Sequence, residues 1–180
     1  MRSSTFTHGA LRTALLLSLV LSLGACAGSK PRFEEVLPTV PELTGDQGRF
    51  VFFVPKRSRH AGWKPMITLN GKDVGRAENR GFFYVDVPAG EYVIAHRVTT
   101  TVQGKRNMED DRSRKTFHLK PGETLFLQMV LTPGAGVEPR MGRYDPMFLR
   151  PVLAEPEHAL EVVKTLRYTG GDLADGKKSP

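Results

Sequence analysis

Turn signals cut this chain into short pieces, and that punctuation constrains its fold more than any other feature. Asn70-Gly71 stands between Met66-Ile67-Thr68-Leu69 and Lys72-Asp73-Val74-Gly75. Both central residues of a type I′ turn need positive φ, so Asn-Gly between two short runs predicts a β-hairpin. Pro88-Ala89-Gly90 and Lys120-Pro121-Gly122-Glu123 turn the chain again. About seven short strands with frequent turns imply a small antiparallel β-sandwich or barrel.

The runs between the turns carry strand patterns. Phe50-Val51-Phe52-Phe53-Val54 is wholly apolar and stops at Pro55, as a strand covered on both faces would. In the next run, Phe83, Val85 and Val87 share one face and Phe82, Tyr84 and Asp86 the other. Residues 91–102 are rich in Val, Thr and Tyr and read as a strand. Residues 115–119 read as another. Residues 124–132 alternate, with Leu125, Leu127, Met129 and Leu131 pointing one way. Residues 148–153 make a last strand, which Pro151 confines to an edge. Residues 104–114 are polar and highly charged, hence a loop, and residues 133–146 form a long Gly-rich one. One helix is expected near the C-terminus. Pro156 suits its first turn, Glu155 and Glu157 favour the positive end of its dipole, and Ala159, Leu160, Val163 and Leu166 form one apolar stripe. Gly170-Gly171 is expected to stop it. The fold class is therefore mainly β, a small antiparallel sandwich at residues 48–168 with one C-terminal helix. A disordered tail is expected at residues 169–180.

The N-terminus speaks of location. Arg2 and Arg12 precede the uncharged run Ala14-Leu15-Leu16-Leu17-Ser18-Leu19-Val20-Leu21-Ser22-Leu23, a basic start and apolar core typical of a secretory signal. That run is too short to span a ~30 Å hydrocarbon core. Leu23-Gly24-Ala25-Cys26 follows and resembles the lipobox of bacterial lipoproteins. The resemblance implies a lipid thioether on Cys26 and cleavage after residue 25. Acyl chains contribute ~0.8 kcal/mol per buried CH₂, so two or three form a permanent anchor. Ala27 stands where an Asp would favour the inner membrane, so the resemblance implies the outer membrane, periplasm-facing. Cys26 is the only Cys, which excludes an intramolecular disulfide framework and a Cys-cluster zinc site. Residues 26–47 contain Pro31, Pro38 and Pro41 and read as a lipidated tether, although Phe33, Val36 and Leu37 could dock. The 26 Lys and Arg against 19 Asp and Glu give +7, and loss of Arg2 and Arg12 with residues 1–25 leaves +5.

The order of strands and turns resembles the family catalogued as domain of unknown function 2846, found in bacterial lipoproteins and secreted proteins. The shared pattern is an apolar strand ending in a basic residue (Phe50 to Arg57), an Asn-Gly-Lys hairpin (Ile67 to Gly75), an aromatic strand into Pro-x-Gly (Phe82 to Gly90), and Pro121-Gly122-Glu123-Thr124 before a long strand. The resemblance implies a transthyretin-like or immunoglobulin-like sandwich and no activity.

A search for chemistry finds little. His60, His96, His118 and His158 lie in no metal-ligand spacing, and no G-x-S-x-G elbow is present. Glu109-Asp110-Asp111 lacks the alternating oxygens of a calcium loop. The expectation is no enzyme, no catalytic or metal site and no cofactor. Residues 56–64 form the sharper feature, gathering Lys56, Arg57, Arg59, Lys64 and the only Trp, Trp63. Arg and Trp dominate binding hot spots, and fixed cations pair with phosphate or carboxylate. The plainer alternative is a solubilising loop with Trp63 plugging the end of the sandwich. Arg140, Arg143 and Tyr144, with Met141, Met147 and Phe148, mark a second loop that either presents a contact surface or folds back over the sandwich. Location disfavours nucleic acid. Two functions compete: an envelope lipoprotein presenting its sandwich to a protein partner, and a module that binds an anionic envelope polymer or lipid through residues 56–64.

Overall fold

The computed structural model describes residues 30–100, 106–109, 113–133 and 147–170. The apolar run at residues 50–54 lies in strand β1 (Gln47–Val54). All five of its side chains are buried, because β1 is the middle strand of a sheet with a cover on each face. The order of that sheet is β10 (Arg167–Tyr168), β4 (Gly81–Pro88), β1, β8 (Thr124–Pro133), β9 (Met147–Leu153). The second sheet runs β3 (Lys72–Arg76), β2 (Met66–Leu69), β5 (Gly90–Thr100), β6 (Arg106–Glu109), and β7 (Lys115–Leu119) also pairs with β5.

The two sheets pack face to face as a small sandwich. Phe50 meets Tyr92 of the second sheet edge-on, with centroids 5.5 Å apart. Phe52 stacks on its register partner Phe83 at 4.9 Å. The approach is close enough to require glycine on either side. A Cβ at Gly75 would lie 2.6 Å from the Phe83 ring, and one at Gly48 would lie 2.6 Å from Leu119 Cγ.

The outer face of the first sheet carries Val51, Phe53, Phe82, Tyr84 and Phe126. Helix α1 (Phe33–Val36) and helix α2 (Pro156–Lys164) supply Phe33, Val36, Ala159 and Val163 to the same buried cluster. The alternation of β4 holds on both faces: Phe83 and Val85 point to the second sheet, while Phe82 contacts Phe33 at 5.7 Å and Tyr168 at 5.5 Å.

The hairpin forms as its turn demands, with Asn70 at φ 49° and Gly71 at φ 80°. Gly122 (φ 72°) makes the turn before β8, where the Lys120 N–H donates to Glu123 Oε2 at 2.8 Å. β9 is an edge strand, as Pro151 requires.

Four expectations change. The sandwich is not purely antiparallel: β1 and β8 run parallel, as do β10 and β4. Turn residues fix only hairpin neighbours, and these pairs are joined through long connections that permit either direction. Part of residues 104–114 is a strand, β6, paired with the end of β5; an edge strand tolerates the charge that reads as loop. α2 ends at Lys164, before Gly170, where the Thr165 hydroxyl donates to the Val162 carbonyl at 2.7 Å. The chain then enters β10.

The fourth change concerns the expected tether. Residues 31–40 are built into the domain. Val36 is buried and Phe33 packs on Phe82, while Leu37 remains 54% exposed. Arg32 forms a β-bridge with Arg167, and the Tyr168 N–H donates to the Pro31 carbonyl at 2.7 Å. Two prolines forbid a long helix but not one short turn of it.

Candidate functional site

The basic stretch at residues 56–64 is not one patch. Arg57 is half-buried and turns back on its own loop. Its guanidinium donates to the Trp63 carbonyl at 3.0 Å, and its backbone N–H donates to Asn79 Oδ1 at 2.7 Å. Asn79 Nδ2 returns a bond to the Arg57 carbonyl at 3.3 Å. Burial lowers the pKa of Arg57 from its ordinary value. Trp63 packs against the core and meets His96 edge-on at 5.6 Å. His96 is fully buried, with Nδ1 3.2 Å from the Leu149 carbonyl. A carbonyl only accepts, so Nδ1 carries the proton there. Lys64 pairs with Glu78 at 3.2 Å. Arg59 is exposed on the loop.

Lys56 belongs to a different assembly. With Arg32, Arg80, Lys164 and Arg167 it walls a cavity of about 550 Å³, whose apolar lining is Pro55, Val162 and Leu166. Backbone pairing gathers these cations from four separate segments. The β-bridge sets Arg32 against Arg167, and the Arg167 N–H donates to the Arg80 carbonyl at 3.1 Å. Arg80 sits at φ 56°, a left-handed conformation that non-glycine residues seldom adopt. Lys56 follows the end of β1, and Lys164 closes α2. Lys164 pairs with Glu161 at 2.7 Å. Among the described residues the other four cations pair with no carboxylate, and no carboxylate lines the cavity.

A second concavity, of about 220 Å³, opens on the outer face of the first sheet. Phe33, Val36, Val40, Val51, Phe82, Phe126 and Leu160 line it, beside exposed Leu37. Arg49 and Tyr84 form its polar side. Arg49 makes a two-pronged ion pair with Asp86, at 2.6 and 2.8 Å, and its Cζ stands 4.9 Å from the Tyr84 ring centroid. Burial foremost, then the neighbouring Tyr168, raises the Tyr84 pKa above the ordinary tyrosine value.

Of the sequence candidates, Cys26, Arg140, Arg143 and Tyr144 lie outside the described residues, as do the expected signal at residues 1–25 and residues 171–180 of the expected tail, whose first residue, Thr169, instead donates its N–H to the Phe82 carbonyl at 2.8 Å. Lys56 is brought to the cavity; Arg57, Arg59, Trp63 and Lys64 are not. Arg32, Arg80, Lys164 and Arg167 escaped the sequence reading, because they come from three separate segments and only Lys164 and Arg167 are near in sequence. Only the Asn79-Arg80-Gly81 turn offered a hint. Among the described residues no three His, Cys, Asp or Glu side chains gather as a metal set, and no helix is long and apolar enough to cross a membrane. Comparison with known family models, with curated proteins and with solved structures returns no match.

Proposed function

We propose that this chain is a non-enzymatic bacterial envelope lipoprotein, anchored through Cys26 to the outer membrane and facing the periplasm. Its sandwich binds an anionic envelope component. The observation that supports this reading is the cavity walled by Arg32, Lys56, Arg80, Lys164 and Arg167. Guanidinium and ammonium groups converging on one concave site favour phosphate or carboxylate. On this reading the cavity takes the anion, and Lys56 is the one residue of 56–64 that lines it.

The test is pull-down of the purified mature chain with anionic envelope polymer. Reversal of Arg80 and Arg167 to Glu is expected to abolish capture, and added salt to weaken it. Reversal of Arg59 is expected to leave it intact. Capture that survives the cavity reversal refutes the reading. Cys26→Ser is expected to release the protein from the membrane fraction, and retention there would overturn the anchor.

A protein partner in an envelope assembly is the second reading. The apolar groove beside Leu37, which is 54% exposed, favours it. Crosslinking in intact cells is expected to yield a partner that Leu37→Glu loses, and a lone monodisperse protein would count against it.

A further inference from the structure

We infer that the cavity holds the phosphate of a lipid headgroup belonging to the membrane that anchors the chain. This rests on the anion-binding reading above and on lipidation of Cys26. Three observations lead to it.

The first is charge that folding does not require. Like charges placed directly opposite one another across paired strands are unfavourable, yet Arg32 and Arg167 are bridge partners. Arg80 is hydrogen-bonded to Arg167 through the backbone and held in a left-handed conformation. Lys164 has a structural use, since it lies in the last turn of helix α2 and pairs with Glu161. Arg32, Lys56 and Arg80 have none, and among the described residues no carboxylate neutralises them. A bound anion would.

The second is shape. The cavity of about 550 Å³ falls within the range of small-ligand sites. Arg presents a planar fork that matches phosphate oxygens in pairs. Pro55, Val162 and Leu166 give the cavity an apolar wall, suited to the glycerol and first methylenes beside a headgroup phosphate.

The third is reach. Arg32 is six residues beyond Cys26. At most ~3.6 Å per residue, that chain spans roughly 20 Å even when fully extended. Residues 31–40 are docked on the domain, so they add no slack. A lipid on Cys26 therefore confines Arg32 and its cavity to the headgroup layer and the water just outside it. A soluble anion would need no such confinement.

The experiment uses the mature chain, residues 26–180, carrying Cys26→Ser so that no acyl chain contributes. It is sedimented with phosphatidylcholine vesicles containing phosphatidylglycerol, or containing cholesteryl hemisuccinate at equal surface charge. Inorganic phosphate and polyphosphate are offered separately in solution. Binding is expected to be about tenfold tighter to the phosphatidylglycerol vesicles, the size of one charge-assisted contact. Arg32→Gln with Arg80→Gln is expected to remove that preference without lowering the melting temperature, since both side chains are exposed. Arg59→Gln is the control and should bind as the parent does. Equal binding to both vesicles overturns the phosphate inference and leaves anion binding standing. Capture of polyphosphate or inorganic phosphate with no vesicle binding overturns the lipid source. Failure to bind any anion overturns this inference and the reading beneath it.

Discussion

Arg57→Ala separates a binding loop from a structural one. Arg57 is half-buried, and its guanidinium donates to the Trp63 carbonyl at 3.0 Å and to the Ala77 carbonyl at 3.5 Å. Only the first is a good hydrogen bond. A charged donor on a carbonyl contributes roughly 1.5–3 kcal/mol. Removing a half-buried charge also returns part of its desolvation cost, so the net loss is expected to be about 1–2 kcal/mol. The backbone bond from Arg57 to Asn79 survives the change. Urea unfolding followed by Trp63 fluorescence reads the result directly, because Trp63 is the only Trp and lies in the loop that Arg57 fastens. With a slope of about 2 kcal/mol/M, the midpoint should fall by roughly 0.5–1 M. Capture of anionic polymer by the folded variant should not change. An unchanged midpoint together with lost capture would refute the reasoning, since Arg57 would then be a ligand contact rather than a staple.

Other outcomes follow from the core and its charges. Gly75→Ala places a methyl 2.6 Å from a Phe83 ring already stacked on Phe52; overpacking of this kind costs about 1–3 kcal/mol. Gly62→Ala, with open space around it, should shift the midpoint far less, and equal effects would contradict the close approach of the sheets. Asp86→Ala leaves Arg49 mostly buried without its partner, an expected loss of about 3 kcal/mol that Arg49→Met should largely restore. Thermal denaturation of the single and double variants checks this. Burial raises the folded pKa of Tyr84. Its stabilising contribution is then complete below the ordinary value near 10 and is lost as pH rises through the folded value. Tyr84→Phe should flatten the decline of melting temperature above about pH 10, and an unchanged decline would place its origin elsewhere.

The sequence by itself determined the local geometry. Asn70-Gly71 and Gly122 accept the positive φ that their turns require, and both turns form as read. The unbroken run at residues 50–54 demands two covers, which makes it a central strand. Pro151 excludes the middle of a sheet, and Pro156 with its apolar stripe makes the helix. These are statements about a residue and its near neighbours, and short-range sterics and periodicity settle them.

Tertiary structure decided everything that joins distant segments. The parallel pairing of β1 with β8 links residues more than seventy positions apart, and no turn encodes its direction. The docking of Phe33 and Val36 depends on an apolar outer face that exists only once β1, β4 and β8 are side by side. The charge pattern was rearranged most. Arg57 and Trp63, adjacent to Lys56 and Lys64 in sequence, turn inward, Arg57 onto the Trp63 carbonyl and Trp63 onto the core. Arg32, Arg80 and Arg167 become neighbours through backbone hydrogen bonds alone. Side chains that converge from four segments leave no spacing in the sequence. Most strands were legible before the fold was known; β6, β10 and the cavity were not.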